Sequence, residues 1–250
     1  MIIPDVKNSR YAKFQLGTWL SLGSPVIAEL ASLCGFNWLL IDLEHGAVGE
    51  SALFQTLQAL RSSSATVIVR IGAPHHDLIQ RVLDWGADGI MIPHVDTAAI
   101  AVDCVKAMRY PPHGTRGYSR SVRACDYGLR RNSTDNHPLL FAQIESAQAV
   151  ANVDAIAATE GVDVLFVGPA DLKLDIKASG SAITYEESLK KVALAAVTNQ
   201  RRAGILVRDE ADVGMLLEQD FLIQAVESDL SILRDRYCQL VERFSKSEMC

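Results

Sequence analysis

"WLLIDLEHG", Trp38 to Gly46, runs four apolar residues into Asp42, then Glu44 and His45, before a glycine stops it. A buried strand that ends in three titratable groups makes sense where strand ends carry chemistry, and parallel α/β folds place their sites at the carboxyl ends of strands. The motif is one of a series. Runs rich in Val, Ile and Leu recur at 16–20 (LGTWL), 38–42 (WLLID), 66–70 (TVIVR), 89–93 (GIMIP), 139–145 (LLFAQIE), 164–168 (VLFVG), 204–207 (GILV) and 221–226 (FLIQAV). Segments with helical spacing of apolar residues follow them, at 25–33, 51–61, 75–85, 97–108, 147–159, 185–199, 209–217 and 229–244. Ser24 before Pro25 reads as a helix cap with proline at the first position, and Asp209 as the cap of the seventh helix. Eight near-equal units in 250 residues predict one α/β domain over 1–250, a (β/α)8 TIM barrel. A doubly wound sheet would be the alternative, but no Gly-rich dinucleotide fingerprint supports it.

With 49% hydrophobic and 22% charged residues, the chain can bury one large core. Five cysteines (Cys34, Cys104, Cys125, Cys238 and Cys250), odd in number and without a C-x-x-C pair, argue against a disulfide framework or a thiolate zinc site. The net charge of -6 disfavours nucleic acid as a partner. The first twenty residues carry charges where an export signal needs an apolar run, and no run approaches the roughly 20 residues of a membrane helix. A soluble, cytoplasmic protein is expected. Two connections are long: 109–138, with Arg109, Arg116, Arg120, Arg123, Arg130 and Arg131, and 171–184. Both are assigned to the catalytic face, after strands four and six, and the arginines form either a solvated basic loop or an anion-capturing one.

Polar residues fall at successive strand ends: Asp42, Glu44 and His45 after the second, Arg70 on the third, His94 after the fourth, Glu145 on the fifth and Asp171 after the sixth. Glu145 and Asp171 are the metal candidates, because two neighbouring carboxylates repel unless a divalent cation lies between them. Hard oxygen ligands favour Mg²⁺ or Mn²⁺. The structural alternative makes Glu145 a helix cap and Asp171 the partner of an arginine. Arg70 suits a carboxylate or a developing oxyanion, or else a structural salt bridge. Asp42 and His45 read as an acid–base pair in which the carboxylate orients the imidazole. His75, His76 and His94 lack such company and read as helix-start or rim residues. A metal, a cationic clamp and a base are the parts needed to form an enolate from a 2-oxo acid by aldol cleavage or decarboxylation. None of the eight strands contains a lysine, so a Schiff-base mechanism has no strand-borne amine, and Lys173 is the nearest candidate. "RDEAD" and "ESDLS" after the last two strands are acidic where a phosphate site wants glycines.

Seven stretches, "GTWLSLGSP", "DLEHG", "VRI", "GADGIMIPHVD", "YPPHGTRGYS", "QIES" and "FVGPADL", resemble the HpcH/HpaI aldolases, metal-dependent enzymes of 2-oxo acids whose group includes macrophomate synthase. The resemblance spans Leu16 to Leu240. It implies that Glu145 and Asp171 bind Mg²⁺ or Mn²⁺, with Co²⁺ a further option, that Gln143 supports the site, and that Gly168, Pro169 and Ala170 contact substrate. Arg70 would stabilise a pyruvate enolate, and His45 with Asp42 would act as base. Asp84 and the loop of Arg116 and Gly117 would approach from this or a neighbouring subunit of a hexamer, a trimer of dimers, with the helix at 229–244 packed on a neighbour. The implied reaction is retro-aldol cleavage of a 4-hydroxy-2-oxo acid. Oxaloacetate decarboxylation, a biosynthetic enolate reaction, a non-catalytic barrel that binds a 2-oxo acid and a CoA-thioester lyase are the alternatives. Lys173, Lys177 and Glu227 depart from the family pattern, and Cys125 stands near where a small hydroxyl residue helps hold a substrate carboxylate.

Overall fold

The computed structural model describes residues 14–130 and 137–245, so Arg131 and Cys250 lie outside it. Strands β1 (Gln15–Leu20), β2 (Trp38–Asp42), β3 (Thr66–Arg70), β4 (Gly89–Ile92), β5 (Leu139–Ile144), β6 (Val164–Val167), β7 (Arg202–Val207) and β8 (Phe221–Ser228) close in sequence order into a parallel barrel. Around it lie α1 (Pro25–Leu33), α2 (Glu50–Ala59), α3 (His76–Asp84), α4 (Ala98–Met108), α5 (Ala147–Ala151), α6 (Val153–Ala158), α7 (Pro169–Ser179), α8 (Tyr185–Thr198), α9 (Asp212–Glu218) and α10 (Asp229–Ser245). Ser24 caps α1 as its sequence suggests, and Thr184 with Glu187 forms a reciprocal capping box on α8.

Both long connections differ from expectation. The 171–184 segment is mostly α7, because Pro169 sits at its first turn, Leu172 buries against the core and Gly180 ends it in a left-handed conformation at φ 64°. The 109–138 segment follows α4, not β4. A helix returns the chain to the amino-terminal end of the barrel, so this connection begins opposite the catalytic face. Arg123 confirms the placement by donating to the carbonyls of Trp85 and Leu57, beyond the ends of α3 and near the end of α2.

Alternate residues of each strand face inward. Trp19, Trp38, Phe141 and Phe166 form the interior cluster, with ring centroids of Trp38 and Phe141 5.6 Å apart. Gly17 makes room for it, since a Cβ there would overlap the Trp38 ring. The opposite faces pack on the helices as a second, larger apolar layer.

A motif that the sequence reading passed over holds the amino-terminal end. Gly35-Phe36-Asn37, Gly86-Ala87-Asp88 and Gly161-Val162-Asp163 each precede an even strand, and their glycines have φ of +97°, +96° and +98°. Each Asn or Asp makes the same three bonds. Its N–H donates to Leu16, Val67 or Leu140 of the preceding strand, and its side-chain oxygen accepts from the N–H of that same residue at 2.9, 2.8 and 2.8 Å. Its carbonyl then accepts from the N–H of Thr66, Leu139 or Arg202 at the start of the next odd strand. The fourth copy reads Glu218-Gln219-Asp220, lacks the glycine, and turns the Asp220 N–H to the Leu217 carbonyl. Among the described residues, register shifts occur where this clip is missing, between β7 and β8 and between β8 and β1.

Candidate active site

The polar layer lies one inward step above the aromatic cluster. Asp42 and Arg70 are register partners on adjacent strands, and this alone brings them together. Arg70 Nε donates to Asp42 Oδ1 at 2.9 Å and Nη2 to Oδ2 at 2.6 Å, while Nη1 meets Glu44 Oε2 at 3.0 Å. The guanidinium lies 5.5 Å from the Trp19 ring centroid. Burial acts to raise the Asp42 carboxyl, but the bond and charge of Arg70 outweigh it and hold the pKa below the usual carboxylate range.

The expected Asp42–His45 pair is not formed through the ring. Asp42 Oδ1 accepts the backbone N–H of Glu44 (3.0 Å) and of His45 (3.3 Å), so it folds the loop and steers Arg70. The carboxyl group of Glu44 is the acid nearest the imidazole, at 4.0 Å from Nε2, and the ring is 71% exposed. Asp42 is spent on Arg70 because register places the two side by side, whereas three residues of loop carry His45 out over the mouth.

Glu145 is buried, its side chain 3% exposed. Oε1 accepts the His94 N–H at 2.8 Å, with the His94 ring nitrogen at 3.3 Å, and Oε2 accepts Gln143 Nε2 at 2.9 Å. Burial pushes its pKa up, and the nearby charges of Asp171 and Glu44 push the same way. His94, read from sequence as a bystander, thus holds Glu145, from a backbone at φ 51°. Both structural alternatives for the metal carboxylates fall away. Ser146, not Glu145, caps α5, and Asp171 forms no ion pair among the described residues.

The donor set fits a divalent cation. The charge of Asp171 reaches Glu145 and repels it, and the buried Gln143 Oε1, on the residue whose amide N–H holds Glu145, has no hydrogen-bond partner. Gly168 keeps the cradle open, since a Cβ there would lie 2.6 Å from Glu145 Oε2. Among the described residues no three His, Cys, Asp or Glu gather into a fuller cluster, so an ion would keep open positions for water and substrate.

A cavity of about 650 Å³ opens above this layer, the size of a small-molecule site. Of the residues singled out in the sequence, His45, Arg70, Gln143, Gly168, Pro169, Ala170, Asp171 and Glu227 line it, together with Trp19, Arg208, Ser231 and Arg234, to which the sequence assigned no role. Strand alternation carried past Leu206 would have found Arg208. The acidic "ESDLS" stretch resolves into two roles, for Asp229 turns from the cavity to accept the N–H of Ser21 and Leu22.

Asp84 and Cys125 do not reach the mouth of their own subunit. Asp84 ends α3 at the amino-terminal end of the barrel, where it pairs with Arg116 at 2.5 Å, and Cys125 is buried in the 109–138 connection.

A barrel with two neighbouring carboxylates, a buried arginine and an exposed histidine at its mouth has the form of a metal-dependent carbon–carbon lyase. The profile described as HpcH/HpaI aldolase/citrate lyase matches residues 15–235, and the chain belongs to this family. It is therefore a class II, divalent-metal-dependent aldolase. It is 38% identical over 239 residues to 5-keto-4-deoxy-D-glucarate aldolase of Citrobacter koseri, covering 94% of this chain and 93% of that one. An HpcH/HpaI aldolase/citrate lyase family protein from Burkholderia cenocepacia superimposes with a TM-score of 0.86 at 32% identity over 93% of this chain and 95% of that one. Macrophomate synthase does so with a TM-score of 0.80 at 27% identity over 94% and 85%.

Proposed function

We propose that the protein cleaves a 4-hydroxy-2-oxo acid to pyruvate and an aldehyde, using Mg²⁺ or Mn²⁺ held by Glu145 and Asp171. The buried Glu145 carries this reading. A carboxylate placed next to a second one, with an orphaned amide oxygen alongside, is costly without a cation and useful with one. Bound there, the ion would supply a Lewis acid for the 2-oxo acid end of the substrate.

The chain's own residues do the rest. His45 takes the proton of the C4 hydroxyl, directly or through one water. The freed electron pair makes the aldehyde carbonyl, the C3–C4 bond breaks, and its pair moves into C2–C3 and onto the keto oxygen. Arg70, whose guanidinium keeps N–H groups beyond those given to Asp42 and Glu44, faces that oxygen's charge. A proton delivered to C3 completes pyruvate. Asp42 is the positioning residue for Arg70 and for the loop. Gln143 holds Glu145.

Pyruvate release from such an acid should vanish with EDTA and return with Mg²⁺ or Mn²⁺; turnover that ignores metal would overturn the reading. Oxaloacetate decarboxylation uses the same pyruvate half, and the likeness to macrophomate synthase favours assaying it alongside. Binding of 2-oxo acids without any pyruvate release would favour the non-catalytic barrel. The apolar residues exposed on α10 (Leu230, Tyr237, Val241 and Phe244) support the packing of this helix on a neighbouring subunit within a hexamer. No helix among the described residues is long and apolar enough to cross a membrane.

A further inference from the structure

Away from the mouth, the amino-terminal end of the barrel holds a charge that its own residues leave unanswered. Arg202 opens β7, and Gly204, the next residue on its face, packs on Phe166 of the interior cluster, so Arg202 faces inward at the floor. Its register partner on β6 is Val164, itself a member of that cluster. The same alternation turns Gln15, Thr66 and Leu139 inward at the first positions of β1, β3 and β5. Four such side chains from alternate strands make one layer of a barrel, and here all but Leu139 are polar.

Within that layer Arg202 is 9% exposed, and its buried Nε has no hydrogen-bond partner. Among the described residues it forms no ion pair, and Asp163 is the acid whose charge acts on it. That acid is shared with Arg109 and Arg201, and its side chain already accepts the Leu140 N–H at 2.8 Å. Glu160 also acts on Arg109, so the guanidinium groups of Arg109, Arg201 and Arg202 outnumber the carboxylates of Asp163 and Glu160. Arg201 gives its N–H groups to the carbonyls of Ala157 and Thr159. Burial lowers the pKa of Arg109 and of Arg202 in spite of the acids nearby. Thr66, buried in the same layer as Arg202, adds a hydroxyl donor. A buried guanidinium without a partner is costly until an anion reaches it.

We propose that the floor binds a phosphate-type oxyanion on Arg202 and the Thr66 hydroxyl. Such an anion joins β7 to β3 directly below the register shift between Ala203 and Gly204, and so steadies the quarter that lacks a Gly-x-Asx clip.

Thermal unfolding of the EDTA-treated protein tests this with inorganic phosphate as the probe, against sodium chloride of equal ionic strength. About 20 mM phosphate should raise the wild-type Tm by about 4 °C, the shift that millimolar binding gives a chain of this size. Arg202→Met should abolish that shift, and without phosphate its Tm should equal or exceed that of wild type, because an unpaired buried charge is gone. Arg202→Lys should keep part of the response. Calorimetry should give a phosphate Kd about tenfold weaker or more for Arg202→Met, while Arg208→Gln, altered at the mouth, should bind phosphate as wild type does. Pyruvate release by Arg202→Met should stay within about threefold of wild type, since Glu145 and Asp171 lie at the other end of the barrel. Chloride raising the wild-type Tm as much as phosphate, a phosphate response that survives Arg202→Met or disappears in Arg208→Gln, or a large fall in the Tm of Arg202→Met without phosphate would overturn the assignment.

Discussion

Asn37, Asp88 and Asp163 perform one task three times at the amino-terminal end of the barrel, whereas Asp42, Glu145 and Asp171, equally close to strand ends, perform three tasks at the other. The first set clips consecutive strands through the same backbone bonds. In the second, Asp42 is tied to an arginine, Glu145 is held by an amide and a backbone N–H, and Asp171 has no ion pair within the described residues. The difference teaches that a carboxylate at a strand end is read by what satisfies it. Where backbone N–H groups suffice, the acid is architecture; where they do not, the remaining demand falls on a ligand.

Removing the demand at the mouth should give the largest effect. Glu145→Gln is expected to lower kcat/KM for pyruvate release by a thousandfold or more, and to leave the melting temperature unchanged or higher, because a buried charge disappears. A large fall in melting temperature would place Glu145 among the architectural acids. Asp42→Ala should cost about 3 kcal/mol in denaturant unfolding, since Arg70 would stay buried with only Glu44 beside it. The lowered pKa of Asp42 fixes the sign with pH: its contribution is present at neutral pH and is lost as pH falls through its folded value, so the gap between wild type and variant should close in acid.

At the other end the effects should be smaller and confined to stability. Gly161→Ala forces a side chain onto φ +98° and brings its Cβ within 2.8 Å of Val105, which should cost about 2 kcal/mol with catalysis retained. Asp163→Asn should be nearly silent, within about 0.5 kcal/mol at neutral pH, because Asn37 already performs this task with an amide. Burial raises the Asp163 pKa, so the fold favours its protonated form, and wild type should lose ground to the variant as pH rises from the ordinary carboxylate value to the raised one. A loss of 2 kcal/mol or more would show that the charge, not the acceptor, holds the clip.

Much of the mouth was legible because strand alternation and strand ends are written in sequence. Arg70, Glu145 and Asp171 each follow an apolar run, and parallel register then fixes their height in the barrel. What was not legible depends on lateral neighbours. Nothing local says that Asp42 lies beside Arg70 and not beneath the His45 ring, or that the His94 backbone reaches Glu145. The 109–138 connection lies opposite the end its length suggests, because α4 has already carried the chain back along the barrel before it begins. The Gly-x-Asx repeat escaped because the same insertion falls between its second and third copies and destroys any constant period.

The unclipped fourth quarter has a consequence for how such a barrel can change. Its seam tolerates slack in register on both sides of β8, and the same quarter supplies Arg208, Glu227 and the first turn of α10 to the cavity. Mutations that reshape this stretch need not disturb the three locked quarters, which hold Arg70, Glu145 and Asp171. The acceptor end of the substrate can therefore be exchanged over evolutionary time at little risk to the reaction, like a removable jaw on a fixed vice.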